Sequence, residues 1–243
     1  MKSIAIFSVK GGVGKSTLAV NLAYASATQS ARRTLLWDLD VQGAATFSLK
    51  LAPRGGAASR KLFAKDAGFA TLVQPSAWQN LDLLAADKSL HQLERQLVAD
   101  DKAKRLRNLL KDLGGDYDRV ILDCPPGLNE LAEQVFRAVD VLVVPMLPSP
   151  LSLRAYDQLV AHLQRLDDAP AVIPVFNMVD RRRSLHKSVV DALPDRPAIP
   201  YASAIEAMAV EQAPIAARRP NDPAARAFGG VWTVIERQLL AAR

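Results

Sequence analysis

The stretch Phe7–Ala23, FSVKGGVGKSTLAVNLA, decides the fold. An aliphatic run from Ser3 to Ser8 leads into three closely spaced glycines, then a lysine and a hydroxyl residue, and a helix-length segment follows. Strand, glycine-rich turn and helix together form the setting in which backbone N–H groups turn inward around phosphates, with favourable potential from the helix N-terminus. Through Gly11, Gly14, Lys15 and Ser16 the turn reads as a phosphate loop of the GxxxxGK(S/T) kind. Gly11, Gly12, Val13, Gly14, Lys15, Ser16 and Thr17 are the expected phosphate contacts, Lys15 reaching the β- and γ-phosphates and Ser16 ligating Mg²⁺. A second lysine, Lys10, precedes the first glycine, where the general pattern asks for nothing. A loop that already has its phosphate lysine has no local use for another cation.

Outward from that stretch, short aliphatic runs alternate with amphipathic segments. Strands are expected at Ser3 to Ser8, Thr34 to Asp38, Leu81 to Ala85, Arg119 to Asp123, Val139 to Pro145 and Ala171 to Phe176. They are near-continuous apolar runs, as parallel strands covered on both faces require. Helices are expected over Ser16 to Thr28, Leu90 to Leu113, Leu151 to Leu166 and Ala224 to Ala242, with a loop at Arg54 to Ser59. The spacing predicts an α/β fold, a doubly wound, mostly parallel sheet flanked by helices, with ligands at the carboxyl ends of the strands. Residues 1–243 read as one domain.

Composition narrows the class. The 49% hydrophobic and 23% charged fractions are those of an ordinary globular chain. One cysteine, Cys124, excludes an internal disulfide framework and suits a reducing cytoplasm, where Cys124 fills core space. No leader peptide is expected before the first strand, and no run reaches the roughly 18 apolar residues of a membrane span. Of the net charge of +6, most lies late: from Arg181 onward there are ten Lys/Arg against six Asp/Glu. That asymmetry points to a polyanionic partner.

Two acidic motifs fall at strand ends. In LLWDLDVQGAAT a strand closes at Asp38 and Asp40 follows, at the same end as the phosphate loop. Such a carboxylate can polarise an attacking water or hold a water of the Mg²⁺ shell, since phosphoryl transfer depends on positioning and charge compensation. In YDRVILDCPPGLNE an apolar strand ends in Asp123, placed to accept from Mg²⁺-bound water.

Taken together, KGGVGKST, DLDVQGAAT, DCPPGL and VLVVPMLPSPLSL resemble the ParA/MinD family of deviant-Walker ATPases, and look closest to its ParA-type partition ATPases. The resemblance runs in order from Lys2 to about Asn177. It implies a homodimer with ATP sandwiched between subunits and slow, Mg²⁺-dependent hydrolysis. By resemblance Lys10 crosses the dimer to the partner subunit's phosphates, as an arginine finger acts in trans, Asp40 assists the attacking water, and Asp40 and Asp123 support Mg²⁺ with Ser16. Val41 stands where the family usually has proline, which loosens the loop and removes no functional group. Asn177, in VFNMVD, corresponds to an asparagine that reads the adenine edge. Its NxxD spacing to Asp180 also resembles the guanine-reading motif of GTPases, but Met178 replaces the usual lysine, and ATP is the favoured nucleotide. IPYASAIEAMA resembles the family segment packed beside the base, with Pro200 in its loop.

The resemblance also implies a role: a switch that positions DNA or another large cargo, cytoplasmic and bound to the nucleoid when ATP-loaded, with a ParB-like or other adaptor protein. Arg181, Arg182, Arg183, Lys187, Arg218, Arg219 and Arg226, with Arg237, are the expected contacts to non-specific DNA. A MinD-like membrane-cycling regulator is an alternative, because Phe228, Val231, Trp232, Ile235 and Leu239 form an apolar stripe at helical spacing. The stripe lacks flanking lysines and reads first as core packing. An accessory ATPase of a cellulose-synthesis or secretion machine is a further alternative.

Overall fold

The computed structural model describes residues 1–52, 61–62, 68–90 and 105–241. Eight strands join in one sheet: β1 (Lys2–Ile6), β2 (Thr34–Asp38), β3 (Gln74–Pro75), β4 (Leu81–Leu84), β5 (Arg119–Asp123), β6 (Val141–Met146), β7 (Ala171–Val179) and β8 (Ala198–Pro200). Their order across the sheet is β3-β4-β2-β5-β1-β6-β7-β8, and every pairing is parallel except that of β3 with β4. From the central β1 the chain leaves toward β2, and from β6 it leaves the other way toward β7. This reversal of winding opens a crevice at the carboxyl ends of the middle strands.

Alternation along each strand sends side chains to two separate cores. Ile4 and Ile6 share one face with Leu18, Leu22, Leu36, Ile121 and Val143. Ala5 and Phe7 share the other with Trp37, Leu122, Leu142, Phe136 and Leu159, and Phe7 meets Phe136 edge to face at 4.9 Å. Burial on both faces is why the strand sequences are continuous apolar runs.

The final helix, Pro223–Ala241, closes the first core. Phe228, Val231, Trp232, Ile235 and Leu239 are each at most 2% exposed, so the apolar stripe is core packing. Gly229 faces the helix Lys15–Gln29, where a Cβ would lie 2.5 Å from Gln29 Nε2, the end of a side chain that can swing aside. Trp232 Nε1 donates to Ser30 Oγ at 2.8 Å, and the Arg119 guanidinium donates to both oxygens of Glu236 at 2.9 and 3.1 Å. Arg119 opens β5, so the helix ends at the amino edge of the sheet, away from the crevice. No described helix is long and apolar enough to cross a membrane.

Several boundaries differ from the sequence reading. β1 ends at Ile6, and β6 begins at Val141 because Asp140 is held at its foot by the Ser3 N–H and hydroxyl. β7 continues to Val179 through an irregularity between Phe176 and Val179. Helices Glu130–Ala138, Ser184–Asp191 and Ser203–Glu211 are additional to those read from the sequence. Helix Arg105–Asp112 realises the end of the stretch expected from Leu90 to Leu113. Residues 91–104 of that stretch and the expected loop Arg54 to Ser59 lie outside the described residues.

Candidate functional site

Residues 7–14 join β1 to the helix Lys15–Gln29 at the middle of the sheet. The general spacing GxxxxGK(S/T) would put its first glycine at position 9, where Val9 stands, so the loop is a deviant form built on Gly11, Gly12 and Gly14. Gly12 (φ 73°) and Gly14 (φ 81°) occupy the left-handed region, and Gly14 caps the helix. A Cβ on Gly11 or Gly12 would meet nothing within 4 Å, which leaves an open cradle above the loop backbone. Lys15 opens the helix and is only 7% exposed.

The sheet register sets the acidic groups. Asp38, the last residue of β2, lies directly opposite Asp123, the last residue of β5, and Ile6 of β1 pairs with Asp123 on its other side. Asp123 is wholly buried, and among the described residues neither of its oxygens accepts a well-formed hydrogen bond. Burial pushes its pKa well above the ordinary carboxylate range, with the charge of Asp38 adding to it; the nearby Ser16 hydroxyl and Lys15 ammonium act the other way. A buried carboxyl left so exposed to its own desolvation fits a site built for a hydrated divalent cation. Among the described residues no group of three or more Asp, Glu, His or Cys forms a cage by itself. Mg²⁺ suits that arrangement, since it keeps several waters and takes one or two carboxylates together with phosphate oxygens.

Asp38 is the inner of the two DxD carboxylates and was not among the site residues expected from sequence. One of its oxygens accepts from Thr46 N at 2.9 Å and Thr46 Oγ1 at 2.7 Å, the other from Asp40 N at 3.2 Å. Thr46 Oγ1 in turn accepts from Ala86 N at 3.0 Å. Asp38 and Thr46 thus brace the turn from Asp40 to Gly43, which closes on an Asp40 O to Gly43 N bond of 2.8 Å and needs the left-handed Gly43 (φ 64°). Burial raises the Asp38 pKa to about 6, against the hydrogen bonds that lower it. A cleft of about 340 Å³ separates the Asp40–Gln42 turn from Pro125, Pro126 and Asn129.

Lys10 lies on the other side of the loop. It borders Val144, Met146, Ser152 and Tyr156, toward β6 and the helix Pro150–Leu163, whereas Asp38 and Asp123 lie toward β2 and β5. It has no ion-pair partner among the described residues. Around the same carboxyl edge Val9, Leu128 and Leu151 are 36%, 50% and 70% exposed, large apolar side chains facing outward.

Asp38 and Asp123 lie on the β2–β5 side of the loop, and β7 and β8 lie on its other side. Asn177 is there, 3% exposed, but its amide donates to the Val13 carbonyl at 2.8 Å and its oxygen accepts from Met178 N at 3.0 Å. Pro200 ends β8 beside Val179, and Tyr201 N donates to the Val179 carbonyl at 3.0 Å. The Asp180 carboxylate is taken by Arg182, through Nε at 2.8 Å and a terminal nitrogen at 2.9 Å, which holds its pKa low, near 2.

Of the expected basic contacts, Arg181 pairs with Asp191, Arg182 with Asp180 and Arg219 with Glu211. Arg183, Lys187, Arg218 and Arg226 are exposed and have no carboxylate partner among the described residues. Arg183 and Lys187 follow the carboxyl end of β7. Arg218 ends the short helix Ile215–Arg218, whose Ile215 N donates to Asn21 of the loop-following helix at 2.9 Å. Arg237 instead follows Glu236, at the amino edge, and falls away from that group.

Comparison with known proteins agrees with this geometry. A family model described as an AAA domain matches residues 1–172. A chromosome partitioning protein ParA from Myxococcus xanthus is 36% identical over 159 residues, 64% of this chain and 56% of that protein, so the chain spans little more than half the length of that relative. The sporulation initiation inhibitor protein Soj of Bacillus subtilis is 32% identical over 78% of each chain. Among solved structures, a Cyanothece McdA–ATP complex superposes with a TM-score of 0.84 at 21% identity, covering 97% of this chain and 96% of that one, which is a likeness of fold.

Proposed function

The chain belongs to the ParA/MinD family of P-loop ATPases, and on that premise we propose that it is an ATP-driven dimerisation switch that positions DNA or another large cargo. The observation that carries the reading is the convergence, at one sheet edge, of an open glycine cradle and a buried carboxyl, Asp123, that accepts no well-formed hydrogen bond among the described residues. Lys15 and the loop N–H groups would hold the phosphates, and Ser16 and Asp123 would hold Mg²⁺. The metal, when bound, neutralises the charge that develops on the transferring phosphoryl group. Asp40, on a turn braced from beneath by Asp38 and Thr46, orients the attacking water.

Lys10 has no task within its own chain on this reading. Its place on the far side of the loop supports a role at the partner's phosphates, and outward-facing Val9, Leu128 and Leu151 supply apolar surface for a second copy to cover. Residues 1–243 act as one domain. Of the basic residues expected at DNA, Arg183, Lys187, Arg218 and Arg226 have no carboxylate partner among the described residues and would meet DNA phosphates, with Arg181, Arg182 and Arg219 contributing only as their own carboxylate pairs open. Dimerisation doubles the contacts, so ATP controls DNA affinity through contact number and without base reading. A ParB-like or other adaptor stimulates hydrolysis, and the ATP-bound form associates with the nucleoid in the cytoplasm. Burial of the final helix's stripe removes the observation that favoured a membrane-cycling role.

Binding to unrelated duplexes, measured across a salt series with ATP and with ADP, tests this. Steep salt dependence with ATP alone is expected. Arg183→Ala combined with Arg218→Ala removes four contacts per dimer and flattens the log–log slope by about 3–4, at roughly 0.9 per phosphate contact. Equal and negligible binding in both nucleotide states at low salt would reject DNA as the cargo surface.

A further inference from the structure

We propose that Asn177 is a positioning residue of the phosphate loop, carried into it by the irregularity in β7; this rests on the nucleotide-binding reading above. Asn177 Nδ2 donates to the Val13 carbonyl at 2.8 Å, across 164 residues of sequence, inside a buried contact. Within one trans peptide unit the carbonyl of Val13 and the N–H of Gly14 point in opposite directions. Drawing the Val13 oxygen toward β7 therefore turns the Gly14 N–H away from β7, into the set of loop donors available to an anion.

The surroundings are shaped for this contact. A Cβ on Gly14 would lie 2.4 Å from Asn177 Nδ2 and 3.4 Å from Met178 Cε, so the glycine is required for room as well as for its φ of 81°. On the other side Met178 holds φ 55°, the left-handed region that side-chain-bearing residues avoid, while its N–H closes on Asn177 Oδ1 at 3.0 Å. The β7–β8 register shifts at this point, between Phe176 and Val179. A backbone irregularity of this kind re-aims a side chain, and strain of this kind persists where neighbours over-determine it. Each end of the Asn177 amide makes a bond to the protein, one to the loop and one to the strained residue that presents it.

Titrate Mg²⁺–ATP and Mg²⁺–tripolyphosphate, which has no base, into the wild type, Asn177→Ala and Asn177→Asp, with melting curves to establish that each protein is folded. Both variants should lose about tenfold or more in affinity for both ligands, in equal proportion. Asn177→Asp, the same size but with an oxygen facing the Val13 carbonyl, should bind worse than Asn177→Ala. Loss confined to ATP would make Asn177 a reader of the base and overturn the proposal. So would an aspartate variant that binds better than the alanine one, because then Asn177 only fills space. A wild type that binds neither ligand is a different result: it rejects the nucleotide-binding reading itself.

Discussion

Replacing Asp38 by asparagine should remove a pH-dependent weakness from the nucleotide-free protein. Asp38 is fully buried at the end of β2, facing Asp123 across the register, and burial lifts its pKa from 3.8 to about 6. A carboxyl raised in the fold binds its proton more tightly in the native state than in the unfolded chain. Its contribution to stability is therefore fully present below pH 3.8 and is lost as pH rises toward 6. The gap from 3.8 to about 6, at about 1.4 kcal/mol per pH unit, amounts to about 3 kcal/mol above pH 6. Roughly 1 kcal/mol of that falls between pH 5 and pH 7, equal to about 2–4 °C in melting temperature for a chain of this size. Asp123, raised for the same reason and partly by the charge of Asp38, adds in the same direction. Surface carboxylates with lowered pKa, such as Asp180, change little above pH 5 and are common to both proteins. Thermal melts of wild type and Asp38→Asn at pH 5 and pH 7, without nucleotide, isolate the difference. The wild type should lose about 2–4 °C more than the variant over this interval. Equal losses would refute the argument that buried, mutually repelling carboxylates are held at this edge.

Lys15→Ala removes the one buried cation of the cradle and should abolish ATP binding in a filter or fluorescence assay. Lys10→Ala should bind ATP with near wild-type affinity and fail to hydrolyse it; mixed with Asp40→Ala protein it should regain measurable turnover, since one composite site then holds both residues. No recovery while heterodimers demonstrably form would count against action in trans. Thr46→Val keeps the side chain's shape but breaks the hydroxyl link between Asp38 and Ala86 N, so kcat should fall about tenfold with KM nearly unchanged, about 1.4 kcal/mol at the transition state. Thr46→Ser should restore it.

The parallel sheet was legible because strands buried on both faces write themselves as unbroken apolar runs, and all six strands read that way are present. β3 and β8 were not read as strands: they are two and three residues long and carry Pro75 and Pro200. That Lys15, Ser16, Asp40 and Asp123 share one sheet edge was legible because each follows or ends a strand there. Asp38 was passed over as the inner half of a DxD, although its burial and its bonds to Thr46 make it the brace of the turn. Only the long-range contact with Val13 reveals what the Asn177 amide is spent on, and local pattern carries no trace of it. The charge count found the basic edge, but could not tell Arg183 and Arg218 from Arg182 and Arg219, whose charges are met by Asp180 and Glu211.

On the reading proposed above, ATP joins two copies of this chain across the loop that carries Lys10. Light scattering of Asp40→Ala protein, which should hold ATP without consuming it, tests that claim directly. With saturating Mg²⁺–ATP twice the chain mass is expected, and with Mg²⁺–ADP a single chain. A single chain in both states, with ATP shown to be bound, would contradict it.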